Sequence, residues 1–183
     1  MIRIGLVADD LTGACDSAAP FLAGGRAVVG LWPLVPAGGL ACAAVSTESR
    51  GEAAPVARSR SREAASRLEC DLLFRKLDSL LRGHPAADVA GVIDALGGRC
   101  LVAPALPAEG RTTAGGIQRW PGGDADLRLV LAPLADRVDL RDAATDADLD
   151  DVAREALGRG DRVLAGTAGL ASALARALGL GPP

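Results

Sequence analysis

Two adjacent carboxylates, Asp9 and Asp10, follow an apolar run at 2–8 and precede Thr12 and Gly13. Neighbouring carboxylates repel each other, and the positive end of a helix that starts here would offset part of that repulsion. A carboxylate in this position can accept hydrogen bonds from the hydroxyls of a ligand or take a hydroxyl proton. A plain helix cap formed by Asp10 or Thr12 is the alternative, and the segment alone does not decide between the two.

A second group of reactive residue types lies in the segment RKLDSLLRG at 75–83. Within a few positions it contains two basic residues, one acidic residue and two small residues: Lys76, Arg82, Asp78, Ser79 and Gly83. The guanidinium of Arg82 can hold a carboxylate or phosphate in a bidentate fork, and Lys76 can supply a point charge. A salt-bridged helix entry is the alternative, and the concentration of charge beside Ser79 makes it the less favoured one.

A third segment, at 104–116, is rich in glycine and carries Arg111, Thr112 and Thr113. Glycines allow close approach of the backbone to a ligand, so the segment is a candidate anion-binding loop. It lacks the G-x-x-x-x-G-K-[ST] pattern of a Walker A loop. The segment GTAGLA at 166–171 is interpreted as a tight turn from strand to helix.

The elements that must position these groups are short apolar runs alternating with helical segments. The predicted strands lie at 2–8, 27–32, 41–47, 71–77, 100–106, 137–143 and 162–166. The predicted helices lie at 12–24 (shortened or kinked by Pro20), 51–68, 84–98, 128–136, 145–160 (opened by a capping box that uses Asp148) and 168–179. Continuous apolar strands alternating with helices indicate a mostly parallel sheet with helices on both faces, a Rossmann-like three-layer α/β sandwich.

The polar segments follow predicted strands, and ligands of open parallel sheets bind at the carboxyl ends of the strands. We therefore expect one cleft with both acidic and basic groups, suited to a small, hydroxylated, anionic molecule. The segment 117–127 is hard to assign; it is predicted to be irregular and is the best candidate for an insertion point or a mobile loop. Loop is also predicted at 33–39, with a tail at 181–183.

Composition narrows the class of protein. The chain of 183 residues has a formal net charge of −3 and only 2% aromatic residues, so it lacks the basic, aromatic surface of a nucleic-acid-binding protein. Four separated cysteines and a single histidine do not have the spacing of a metal site. No signal peptide or membrane-length apolar run is present in the sequence, and we expect a cytoplasmic protein without membrane partners.

Three motifs occur in an order that resembles the four-carbon acid sugar kinase family, in its amino-terminal sugar-binding domain. They are ADDLTGA at 8–14, KLDSLLRG at 76–83 and APALPAEGRTTAGG at 103–116. The segments at 142–153 and 166–171 resemble later parts of the family pattern. Leu80 and His84 depart from it, standing where Thr and Asn are usual, and the stretch between Gly116 and Asp142 is shorter than in the family.

The resemblance implies an ATP-dependent phosphotransferase acting on an alcohol group of threonate, erythronate or an oxo-tetronate. It implies that Asp9 or Asp10 contacts or deprotonates the attacking hydroxyl and that Arg82 and Arg111 bind the carboxylate. The other implied binding residues are Thr12, Gly13, Lys76, Asp78, Ser79, Gly83 and Thr112. ATP and Mg²⁺ are implied as cofactors, held by a carboxyl-terminal nucleotide-binding domain of which the sequence carries no sign.

We therefore expect a single α/β domain over 1–183. Whether the chain is an enzyme by itself stays open. It is either the substrate-binding part of a kinase, with a separate nucleotide-binding chain or a homodimer as partner, or a non-catalytic sugar-acid-binding module, or a degenerate relative. The near-complete motifs favour retained binding of a sugar acid.

Overall fold

Short apolar segments form a central parallel sheet in this computed structural model, which describes residues 2–36 and 40–180. In chain order the strands are β1 (Ile4–Ala8), β2 (Ala27–Leu31), β3 (Cys42–Ser46), β4 (Leu72–Lys76), β5 (Cys100–Ala103), β6 (Thr112–Ala114), β7 (Ile117–Trp120), β8 (Gly123–Asp126), β9 (Val138–Leu140) and β10 (Val163–Gly166). Within the described residues the main sheet has seven strands in the order β2-β3-β1-β4-β10-β5-β9. Every neighbouring pair in it is parallel.

Helices cover both faces of this sheet. They are α1 (Leu11–Ala18), α2 (Ala54–Arg67), α3 (Pro85–Leu96), α4 (Leu127–Val130), α5 (Asp146–Arg159) and α6 (Ala168–Ala177). One apolar core packs α1, α5 and α6 against the sheet, and a second packs α2 and α3 against the opposite face. The predicted α/β sandwich with a mostly parallel sheet is confirmed.

Small residues set how closely these layers approach. A Cβ atom added at Gly91 of α3 would lie 2.5 Å from the carbonyl oxygen of Arg58 in α2, so the α2–α3 contact requires glycine there. Both cores are built largely from Ala, Val and Leu, as expected from a chain with few aromatic residues. Close packing of this kind makes even small changes of core volume costly.

Local signals placed several element ends correctly. Pro20 enters a 3₁₀ turn at Ala19–Gly24, and α1 ends just before it at Ala18. The capping box of α5 is present, because the Thr145 hydroxyl accepts from the Asp148 amide while the Asp148 carboxylate accepts from the Thr145 amide. Such caps satisfy amide groups that have no partner inside the helix.

The expectation of an irregular loop at 117–127 is wrong. Strands β7 and β8 lie there, and with β6 they form a separate three-stranded antiparallel sheet. We call residues 112–126 the flap. Its most deeply buried residues are Thr113 and Gln118, so its inward face is polar and gives no hydrophobic alternation in the sequence.

Two smaller differences concern the carboxyl-terminal half. The helix predicted at 128–136 is α4 followed by a 3₁₀ turn at Ala132–Leu134, and the strand predicted at 137–143 is limited to Val138–Leu140. The end of the predicted loop at 33–39 and the predicted tail at 181–183 lie outside the described residues. Among the described helices, none combines the length and apolar character needed to cross a lipid bilayer.

Candidate functional site

Loops that follow β1, β3, β4, β5 and β10 meet at one edge of the sheet and enclose a cleft of about 500 Å³. This is the edge at which the sequence predicted a site. The cleft is lined by Asp10, Thr12, Gly13, Asp16, Arg50, Lys76, Asp78, Ser79, Arg82, Leu106, Glu109, Arg111, Thr167 and Ala168.

Asp10 begins α1 and reaches the cleft at the same time. Its Oδ1 accepts a hydrogen bond of 2.9 Å from the amide of Gly13, which makes it the N-cap of the helix. Its Oδ2 lies 2.8 Å from Nη1 of Arg50. The cap and the functional interpretation are therefore compatible, because the side chain stays 28% exposed although Gly13 and Arg50 each contact one of its oxygens.

Arg50 holds three carboxylates together and was missed by the sequence analysis. Its guanidinium contacts both oxygens of Asp9, at 2.9 and 3.0 Å, and also approaches Asp78 to 3.4 Å. Asp9 is almost fully buried and lies behind the cleft. The repulsion between Asp9 and Asp10 is thus offset by a shared arginine as well as by the start of α1.

The turn that carries Arg50 is tightly fixed. The Thr47 hydroxyl donates to the carbonyl of Ala8, and the amides of Ser49 and Arg50 donate to the carbonyl of Asp9. Glu48 takes a left-handed conformation with φ of 48°, which is uncommon for a residue other than glycine. These hydrogen bonds therefore fix the backbone of Arg50 beside the end of β1.

Asp78 is the most extensively bonded carboxylate of the cleft. It accepts from the amides of Leu80 and Arg82, at 3.1 Å each, and from two nitrogens of the Arg82 guanidinium, at 2.9 and 2.7 Å. Burial alone would raise the pKa of Asp78, but the Arg82 hydrogen bonds and the charge of Arg50 outweigh it and lower the pKa to about 2. Asp78 therefore stays ionised and binds the exposed Arg82 side chain to the turn.

Lys76 contributes a positive charge to the cleft, and this charge has fewer direct partners than the carboxylate of Asp78. It is 8% exposed, and among the described residues no carboxylate oxygen lies within ion-pair distance of its ammonium. Burial lowers the pKa of Lys76, while the charges of Asp9, Asp10 and Asp78 act in the opposite direction. A Cβ atom at Gly13 would lie 3.0 Å from its Nζ, so glycine in α1 leaves the space that the ammonium occupies.

Arg111 comes from the loop after β5 and faces the same cleft. Its Nη1 donates to the hydroxyl of Ser79 and lies 2.7 Å from Oε2 of Glu109. Its Nε is buried and has no hydrogen-bond partner among the described residues. The flap supports the loops around Arg111. The side-chain Nε2 of Gln118 donates to the backbone carbonyls of Pro104, at 3.0 Å, and Ser79, at 3.4 Å.

Eight of the eleven predicted site residues line the cleft: Asp10, Thr12, Gly13, Lys76, Asp78, Ser79, Arg82 and Arg111. Asp9, Gly83 and Thr112 are outside the lining set. Gly83 is next to Asp9, since a Cβ atom there would lie 3.0 Å from Oδ2 of Asp9 and its φ is +81°. Thr112 lies in β6, opposite Arg119 in the flap.

Two further lining residues could have been found from the sequence. Arg50 follows the predicted strand at 41–47, so the strand-end rule applies to it as it does to Lys76. Thr167 caps α6, accepting from the Gly169 amide and donating to the carbonyl of Ala105. The segment that contains Thr167 forms the expected turn, and the turn also borders the cleft.

His84, one of the departures from the family pattern, lies outside the cleft. Its Nε2 is 2.6 Å from the carbonyl oxygen of Glu52, and the residue precedes α3. It lines a larger and mainly apolar hollow of about 600 Å³ beside α2, α3 and residues 130–137. Both arginines of that hollow, Arg58 and Arg137, pair with Asp94, so the strand-end cleft is the better candidate for an anionic ligand.

The model of a sugar-binding N-terminal domain matches residues 4–138 of the chain. Two curated relatives are D-threonate kinases. The one from Cupriavidus necator is 40% identical over 148 residues, which cover 74% of this chain and 34% of that protein. The one from Bordetella bronchiseptica is 35% identical over 131 residues, which cover 62% of this chain and 31% of that protein. The chain thus spans about a third of the length of these relatives.

A solved structure from Bordetella bronchiseptica, described as a domain of unknown function with bound citrate in a domain-swapped dimer, has the same fold. It superposes with a TM-score of 0.82 at 29% identity, covering 97% of this chain and 57% of that chain. The matched family model covers most of the described fold, including the segments that carry Asp10, Lys76 and Arg111. The chain belongs to the family of sugar-binding N-terminal domains.

Proposed function

We propose that the cleft binds a four-carbon sugar acid of the threonate, erythronate or oxo-tetronate type, and that the chain is the substrate-binding part of an ATP-dependent sugar-acid kinase. The observation that carries this proposal is the meeting of Asp10, Lys76 and Arg111 in one cleft of about 500 Å³. The D-threonate kinases among the relatives support the ligand class. The citrate in the related solved structure supports it as well, because citrate is a small hydroxylated carboxylic acid.

The charges of the cleft suit opposite ends of such a ligand. The partly exposed Arg111 side chain and the ammonium of Lys76 attract the carboxylate. Asp10 is held by the Gly13 amide and by Arg50 and remains partly exposed. It is therefore able to accept a hydrogen bond from a ligand hydroxyl.

Between the two candidate bases, Asp10 is favoured over Asp9. Both oxygens of Asp9 are bound by Arg50, and its side chain is 3% exposed. A general base must come within hydrogen-bond reach of the proton that it removes. In this proposal Asp10 takes that role, and Asp9 orients Arg50 behind it.

Phosphoryl transfer also requires a nucleotide and divalent metal ions. Within residues 2–36 and 40–180, no group of three or more His, Cys, Asp or Glu side chains is arranged to hold a metal ion. Three of the four cleft carboxylates are instead paired with arginines: Asp10 with Arg50, Asp78 with Arg50 and Arg82, and Glu109 with Arg111. These residues do not fit a metal centre, so the proposal assigns ATP and Mg²⁺ to another domain or chain and gives this chain the sugar acid.

Calorimetric titration and thermal unfolding of the chain with D-threonate, D-erythronate, an oxo-tetronate and the uncharged polyol threitol test the proposal. We expect one of the acids to bind and threitol to bind far more weakly. A bound acid at a hundredfold excess over Kd stabilises the fold by about 2.7 kcal/mol. Arg111→Ala should bind the acid more weakly and show less stabilisation at the same concentration, whereas Arg154→Ala, on the exposed surface of α5, should retain the full effect.

Two results would contradict the proposal. Failure of every four-carbon acid to bind would exclude the sugar-acid cleft. Stabilisation by ATP and Mg²⁺ in the absence of an acid would show that this chain holds the nucleotide itself, contrary to the assignment made here.

A further inference from the structure

Glu109 borders the cleft and is bound differently from Asp9 and Asp78. It ends the 3₁₀ turn Pro107–Glu109, before Gly110 in a left-handed conformation. Its Oε2 lies 2.7 Å from Nη1 of Arg111, and its side chain is 56% exposed. Among the described residues, that ion pair is the only polar contact of its carboxylate.

Asp9 and Asp78 show the contrast. Both oxygens of Asp9 receive hydrogen bonds from Arg50, and Asp78 accepts four hydrogen bonds from the turn that it closes. Those carboxylates cannot leave without breaking several contacts. Glu109 can leave by rotation of a flexible and exposed side chain at the loss of one, and an ion pair this exposed contributes little to stability.

The partner of Glu109 is the group best suited to a ligand carboxylate. The guanidinium of Arg111 is oriented by the Ser79 hydroxyl, and the Arg111 side chain is 21% exposed. A planar guanidinium matches a carboxylate in a two-point contact, which Glu109 does not make because one of its oxygens contacts one nitrogen. Glu109 and a carboxylate ligand in the cleft would therefore compete for the Arg111 guanidinium.

We propose that Glu109 is an internal competitor for the carboxylate of the ligand. It pairs with Arg111 in the absence of ligand, and it rotates toward solvent when the sugar acid takes its place. The contact lowers the affinity for anionic ligands and leaves the affinity for uncharged ones unchanged. This inference rests on the proposed function, in particular on the assignment of the carboxylate to Arg111.

The test compares the Kd of D-threonate for the wild-type chain and for Glu109→Gln by calorimetric titration. Removal of the charge should tighten binding by about two- to fivefold, the range expected from the strength of an exposed ion pair. Glu109→Ala should change binding in the same direction. Glu63→Gln is the matched control, because Glu63 is 57% exposed, lies near an arginine of α2 and is outside the cleft; its Kd should equal that of the wild type.

Arg111 provides the second arm of the test. In an Arg111→Ala background, Glu109→Gln should no longer tighten binding, because the shared donor is gone. Binding of threitol should be the same for wild type and Glu109→Gln. If the substitution instead loosened the loop in general, the affinities for both D-threonate and threitol would change.

The outcomes separate the two proposals. If the wild type binds D-threonate and Glu109→Gln binds it equally well or less well, the competitor inference is overturned and the sugar-acid cleft stands. If neither the wild type nor the variants bind D-threonate, D-erythronate or an oxo-tetronate, the proposed function fails and the inference fails with it.

Discussion

Arg75 and Lys76 are neighbours on β4, yet their side chains serve two very different regions. Arg75 is fully buried beneath α2 and α3, and its Nη2 lies 2.7 Å from Oδ2 of Asp88. Asp88 also accepts from the hydroxyl of Ser61. Lys76 faces the opposite side, borders the cleft and has no such partner among the described residues. The first region is a structural ion pair shut off from solvent, and the second keeps charge available to a ligand.

The difference shows that charge alone does not identify a binding site. Both regions combine basic and acidic groups at low exposure, but the Arg75–Asp88 pair borders neither described hollow. The cleft joins Asp10, Lys76 and Arg111 at an opening to solvent. The opening to solvent distinguishes the cleft, since nitrogens of the buried Arg75 guanidinium also lack hydrogen-bond partners among the described residues. Substitutions of differing burial test this distinction.

Asp88→Ala should have the largest effect. It leaves the Arg75 guanidinium buried without its counter-charge, and breaking a buried pair in this way costs about 3–5 kcal/mol of unfolding free energy. Urea denaturation measures the loss. If that variant does not fold, Asp88→Asn, which keeps the shape of the side chain, serves instead. A loss below about 1 kcal/mol would show that the pair is not a structural determinant.

Arg50→Ala should have the next largest effect and should act on both stability and binding. Asp9, Asp10 and Asp78 would lose their shared cation, and hydrogen bonds to charged groups contribute about 1.5–3 kcal/mol each in context. We expect a loss on the order of 2 kcal/mol by urea denaturation and weaker binding of D-threonate. Unchanged binding in a folded Arg50→Ala variant would mean that the orientation of Asp10 does not depend on Arg50.

Asp78 makes the stability of the cleft depend on acid. Its pKa is about 2 in the folded protein, below the usual value of about 3.9 in an unfolded chain. The stability that it contributes is therefore complete above about pH 4 and is lost as the pH falls toward 2. Over this interval the wild type should lose on the order of 2 kcal/mol more than Asp78→Asn.

The prediction is checked by measuring the urea midpoints of the wild type and of Asp78→Asn at several pH values and comparing their pH dependence. The control is Asp151→Asn, which removes an exposed carboxylate of α5. Parallel pH profiles for wild type and Asp78→Asn would contradict the prediction.

The sequence was informative where a local rule decides the outcome. Apolar runs predicted the central strands, and the strand-end rule predicted that Asp10, Lys76 and Arg111 would share one edge, as they do. The insertion of β10 between β4 and β5 was not predictable in the same way. The strand order depends on how helices that are far apart in the chain pack together, and the local hydrophobic pattern of the sequence does not contain this information.

The flap and the fine geometry of the cleft were missed for two reasons. Gln118 is buried because it bonds to Ser79 and Pro104, which come from distant parts of the chain, so the hydrophobic pattern could not reveal its strand. The different environments of Asp9 and Asp10 depend on the position of Arg50. Residue types and spacing predicted the members of the cleft but not how their charges pair, and their role in binding stays a prediction.

Arg154→Ala should have the smallest effect and completes the series of arginines. Arg154 pairs with Asp151 on α5 at 2.6 Å, but their side chains are 65% and 70% exposed. Solvent and salt weaken such a pair, so the change in unfolding free energy should stay below about 0.5 kcal/mol. Urea denaturation should thus rank the disruptions as Asp88, then Arg50, then Arg154. A loss at Arg154 as large as that at Arg50 would show that burial and the number of carboxylates do not set these contributions, and it would remove the physical basis for separating the cleft from the surface.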